Sequence, residues 1–193
     1  FRDTSSWYHL VISADTTQGT DTNRFKVYVN GVQDTGNGIT YPGLNADMAF
    51  NKATASGLSR IGTNQDTGSF FNGLMSHVHF IDGTAYDASA FGQTDATTGE
   101  WVGKTSPSVT YGTNGYFMKF VSGATGTDSS GQSNTMSVSG TLTSPKDNPE
   151  NNFCNMNPLD NYYAQYVYSN ANQTITNGGS KGFATGTFAL RTG

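Results

Sequence analysis

One segment, RFKVYVNGVQD at residues 24–34, constrains the fold more than any other part of the sequence. Phe25, Val27 and Val29 alternate with Lys26, Tyr28 and Asn30, the period of a strand with one buried face. Asn30-Gly31 follows directly. Both residues tolerate the positive φ of a type I′ turn, so a tight hairpin is expected, with Val32 and Gln33 opening the return strand. A hairpin needs further strands to cover it, and the sequence supplies them. Residues 7–12, WYHLVI, read as a strand that is apolar on both faces, which suits a sheet inside a sandwich.

The remaining pattern is also strand and turn. Residues 58–62 read as a short strand, residues 70–82 (FFNGLMSHVHFID) as a strong one, and residues 116–121 and 135–142 as two more. Asp87 is placed to cap a single helical turn through Phe91, and no other segment has helical periodicity. Residues 34–57 form a long polar segment anchored by Tyr41, Leu44, Met48 and Phe50, and residues 92–113 a connector pinned by Trp101. Pro145, Pro149 and the Asn-rich run to Asn152 mark a linker, after which comes the aromatic run NYYAQYVY at residues 161–168. Many short strands separated by turn signals predict an all-β antiparallel sandwich or jelly roll.

Composition excludes several function classes. Aromatic residues make up 12% of the 193, as do charged residues, and 24 are glycine, a balance that fits turns and strands and not disorder. The formal net charge is −4 and the ten basic residues are scattered, so no cationic face for nucleic acid is expected. No apolar run approaches the ~20 residues of a membrane-spanning helix, and no signal peptide is legible. Cys154 is the single cysteine, which excludes an intrachain disulfide, and its setting between Phe153 and Asn155 suits burial.

Signals for chemistry are weak. The only glutamates, Glu100 and Glu150, stand far apart in expected loops, so the paired carboxylates of a glycosidase are not in evidence. The aspartates sit in turn contexts. His77 and His79 share a strand face, but a zinc site needs further ligands and the only other histidine is His9, expected to pack beside Trp7. No Ser-His-Asp order, nucleophile elbow or phosphate loop is present. The loop GTDSSGQSN at residues 126–134 carries calcium-type residues. Its spacing is that of a turn, with Asp128 bonding local amides and Gly131 at positive φ; calcium at Asp128 is the minor alternative. Tyr41, Trp101 and Tyr111 are candidate exposed platforms for sugar stacking, with loop anchoring as their alternative role.

The segments DTSSWYHLVISADTT, RFKVYVNGVQ and LSRIGTNQDTGSFFNGLMSHVHFIDGTAY together resemble the back half of a concanavalin A-like, laminin G-like jelly roll. The blocks FGQTDATTGEWVGK, YGTNGYFMKF, GTDSSGQSN and NNFCNMNPLDN resemble a longer block of bacteriophage virion proteins, mainly marine, that leads into a SPRY-like sandwich. The resemblance implies a division at 1–91 (the C-terminal part of the jelly roll), 92–144 (connector and strands packing on it) and 145–193 (linker and start of a second β domain). It also implies N-terminal strands that this sequence lacks, to be supplied by preceding sequence or by a partner chain. The function implied is a non-enzymatic, extracellular virion or tail-fibre module, with no cofactor, that binds host-surface glycan. Its partners would be other virion proteins, copies of itself and cell-surface polysaccharide, with no nucleic acid and no membrane. A purely architectural assembly module, a bacterial surface adhesin and a glycan depolymerase are the alternatives.

Overall fold

The computed structural model describes residues 6–36, 38–48, 50, 59–64, 68–144, 156–158, 166–169, 172, 174–177 and 184–186. Within them the fold is all-β, apart from one helical turn and one 3-10 turn at Asp21–Asn23. Strands β1 (Leu10–Ala14), β2 (Phe25–Val29) and β3 (Val32–Asp34) form an antiparallel sheet in that order. The β2–β3 connection is the expected hairpin, with Asn30 at φ 48° and Gly31 at φ 80°. Asn30 also fixes the start of β1, because its side-chain oxygen accepts the His9 N–H at 2.8 Å and its own N–H donates to the His9 carbonyl at 2.8 Å.

The face this sheet buries differs from the expected one. Pairing Leu10↔Val29, Ile12↔Val27 and Val29↔Val32 puts these apolar side chains on one face. That face stays open among the described residues, with Leu10 at 52%, Ile12 at 51% and Val32 at 71% exposure. Val11, paired with Tyr28, faces the other way and is buried with Ala88 and Phe91. Tyr28, Ile81, Tyr86, Ala90, Trp101 and Val109 pack around that trio. The apolar residues of β2 fixed the period correctly, but the helical turn recruits the tyrosine face.

That turn is α1 (Ala88–Phe91), where Asp87 accepts the Ser89 N–H at 2.9 Å and the Ser89 hydroxyl at 2.6 Å. Residues 70–82 form no continuous strand. His77 at φ 52° leaves the extended region, so apart from an isolated Thr63↔Phe70 bridge only β4 (Val78–Phe80) pairs, with β7 (Tyr116–Met118). Residues 92–103 are more regular than a connector: β5 (Gly92–Thr94) and β6 (Trp101–Gly103) form a hairpin closed by Asp95, which accepts the amides of Thr97 and Thr98 at 2.8 Å each. Residues 135–142 form no strand. Ser133 and Gly140 both take positive φ, and Met136 is held by a lone 2.9 Å bond from its N–H to the Gly126 carbonyl.

A separate hairpin joins β8 (Tyr166–Ser169) to β9 (Thr174–Asn177), inside the region read as a second β unit. Leu58, the 145–152 linker with Glu150, Cys154 and the first half of the aromatic run lie outside the described residues. Among the described residues, no helix is long and apolar enough to cross a membrane.

Candidate functional site

The β4–β7 ladder gathers the histidines and aromatics into one cluster. His79 lies directly opposite Phe117, and the register stacks their rings at 4.0 Å and 22°. Phe91 of α1 closes on the imidazole at 5.3 Å and Tyr111 stacks at 6.0 Å. His79 Nδ1 is hydrogen-bonded to the Tyr111 hydroxyl at 2.8 Å. His77 lies 5.6 Å from the same Phe117 ring, and the Lys119 ammonium sits 5.1 Å from its centroid. Desolvation pulls the His79 pKa down to about 4, helped by the positive potentials of His77, His9 and Lys119. Desolvation, with the Asp128 charge nearby, pushes the Tyr111 phenol up to about 12. At neutral pH both groups are uncharged, which suits a stacked interior pair.

Asp128 sits beside this cluster, where a bridge joins it to Met118. Its Oδ1 accepts the amides of Phe117 and Ser130, both at 2.8 Å. Its Oδ2 accepts the Ser130 hydroxyl and the Asn134 amide, again at 2.8 Å. Burial raises its pKa, but the bonds from Phe117, Ser130 and Asn134 outweigh it and hold the carboxyl below the usual range. Gly131 takes φ 87°, completing the expected turn. Four donors already point their positive ends at this carboxylate, so a calcium ion would have to displace them. Among the described residues, no group of three or more His, Cys, Asp or Glu is placed to hold a metal.

The three aromatic candidates occupy different settings. Tyr111 is not an exposed platform: it is 8% exposed and its hydroxyl is engaged by His79, because the β4–β7 cluster needs a polar-tipped ring there. Trp101 is half-buried and acts as an anchor. Its indole lies where a Cβ on Gly31 or Gly92 would collide with it, and its Nε1–H donates to His9 Nδ1 at 3.0 Å. His9 therefore meets Trp101, at 5.9 Å between ring centroids, as the partner that sequence reasoning did not find. Tyr41 is half-buried in a loop pinned by Arg24, whose guanidinium donates to the carbonyls of Gln18, Gly19 and Pro42.

Among the described residues, the freest aromatic surface lies elsewhere. Phe70 is 73% exposed and Phe71 55%. Their loop is held by the Thr63↔Phe70 bridge, by the Phe71 N–H donating to the Gly62 carbonyl at 2.8 Å, and by the Asn64 side chain accepting the Gly68 amide at 2.9 Å. Sequence reasoning placed both in a strand and overlooked them. The doubled Phe before Asn72-Gly73 was the available signal.

Among the described residues, the carboxylates with a shifted pKa are all shifted downward. Asp15 is held below the usual range chiefly by the Thr17 hydroxyl, Asp87 by the Ser89 hydroxyl and Asp95 by the Thr98 amide. A general acid requires the opposite shift.

Residues 2–88, just under half of the chain, match a laminin G-type family model described as the concanavalin A-like lectin/glucanases superfamily. This segment contains β1–β4, the Phe70–Phe71 loop and the Asp87 cap, and is compatible with binding carbohydrate or another ligand. No curated protein and no solved structure matches the chain.

Proposed function

We propose that the chain is a non-enzymatic carbohydrate-binding module of a phage virion or tail fibre, acting outside the cell on host-surface glycan. The observation that carries the binding reading is the match of residues 2–88 to the concanavalin A-like lectin/glucanases superfamily. Within that segment Phe70 and Phe71 offer exposed rings on a hydrogen-bonded loop, the surface an apolar sugar face would stack on. The phage setting rests on the resemblance of residues 92–160 to virion blocks. The non-enzymatic reading is supported by aspartates committed to turns and held ionised.

The test is a glycan array with the chain and its Phe70→Ala/Phe71→Ala variant. Binding to bacterial surface polysaccharides, lost in the variant, is expected. Release of reducing ends from a bound polysaccharide would overturn the non-enzymatic reading.

A second reading, architectural assembly without glycan, is favoured by the open face formed by Leu10, Ile12 and Val32. An array with no binders, together with self-association in solution, would select it.

A further inference from the structure

Trp101 and His9 are 92 positions apart and joined by a bond with a fixed polarity. An indole nitrogen can only donate, so His9 Nδ1 must be unprotonated to accept. The backbone that carries the imidazole is fixed, since the main-chain N–H and carbonyl of His9 are both engaged by Asn30. The indole is locked by shape, filling the space over Gly31 of the β2–β3 turn and Gly92 where α1 meets β5. This contact therefore ties the start of the three-stranded sheet to the β5–β6 hairpin.

We propose that the Trp101–His9 bond is an acid-sensitive clasp: a proton added to His9 Nδ1 sets two N–H donors against each other and releases the hairpin from the sheet.

Among the described residues no carboxylate is placed to compensate the added charge: burial alone shifts His9. His79, with a pKa near 4, stays neutral where His9 titrates, and His77 and Lys119 lie beyond it. Asn30 and Gly103, which also approach His9, are neutral. Glu100 and Lys104 bracket β6, and the Lys104 ammonium is engaged by the Ser89 carbonyl at 2.7 Å. Asp128 lies on the Tyr111 side of the histidine cluster. Burial lowers the His9 pKa from 6.5, the direction that favours the closed clasp at neutral pH.

The readout is hydrogen exchange at the Trp101 indole N–H, expressed as protection relative to the backbone amides of β1 and β2. Expressed this way, global unfolding cancels. In the wild type, relative protection falls by up to about tenfold per pH unit below the ordinary histidine pKa, until His9 is charged in the closed state. In His9→Asn, whose side-chain carbonyl oxygen takes the place of Nδ1 and accepts without titrating, it stays flat. Wild-type protection that does not change with pH, or that falls only in step with the β1 and β2 amides, overturns the clasp. So does an equal pH response in His9→Asn. Should that variant not fold, the wild-type profile alone still decides, because local and global opening separate in it.

Discussion

At the scale of single residues, Asp128 and His79 show how similar polar types reach opposite ends of usefulness. Asp128 was legible: a carboxylate ahead of Ser-Ser-Gly predicts a self-bonded turn, and three 2.8 Å bonds from Ser130 and Asn134 form it, while a fourth, from the Phe117 amide of β7, is long-range. Asp128→Asn removes acceptors and turns an amide toward backbone donors. It is expected to cost about 1–3 kcal/mol by urea denaturation, with no change on adding calcium. His79 was not legible, because a His-x-His spacing looks alike on an open face and against Phe117. Its pKa of about 4 makes stability pH-dependent. The unfolded chain takes up the proton first as pH falls below 6.5, so the His79 contribution is complete above that value and drains away toward pH 4. The loss is at most about 3 kcal/mol. Urea midpoints between neutral and acid pH should track it, and His79→Phe should flatten the profile in that window.

At the scale of elements, local rules succeeded where one residue decides geometry. Asn30-Gly31 made the hairpin and Asp87 made the helical turn, each through a conformational or capping preference that needs no distant partner. Asp87→Ala should therefore cost about 1 kcal/mol, measurable as a lowered urea midpoint with an unchanged slope. Where pairing depends on remote strands, local reading failed. Residues 135–142 alternate acceptably yet find no ladder, while Gly92–Thr94 has no alternation and still pairs with β6 because Trp101 seats it. Gly31→Ala is expected to be worse than an ordinary turn substitution, at about 1–3 kcal/mol, because a strained φ and a collision with the indole act together. The same change also loosens β6, visible as lost indole protection.

At the scale of the whole molecule, the sheet β1–β3 has one apolar face, with Leu10, Ile12, Val27, Val29 and Val32, and one mixed face, where Val11 and Tyr28 stand beside Ser13, Lys26 and Gln33; the mixed face is the one packed among the described residues. Which side a two-faced strand buries cannot be read from its own sequence; α1 decides it by presenting Ala88 and Phe91 to Val11. The two faces predict unequal mutational costs. Val11→Ala should destabilise by about 1–3 kcal/mol, whereas Val32→Lys should stay within about 0.5 kcal/mol in this chain by thermal or urea melts. The candidate site was legible only in class. Aromatics in loops were expected to carry it, yet Tyr111 and Trp101 serve the interior and Phe70 and Phe71 take the surface.

The Arg24 guanidinium has a practical consequence. It is anchored to three backbone carbonyls from two separate loops, so the bend after β1 and the bend at Pro42 share a single side chain as their common hinge pin. Neither loop is an independent cassette. A chimera that exchanges one of them with a different scaffold must carry the arginine and the opposing loop as well, and a library diversified on either would do well to hold position 24 constant.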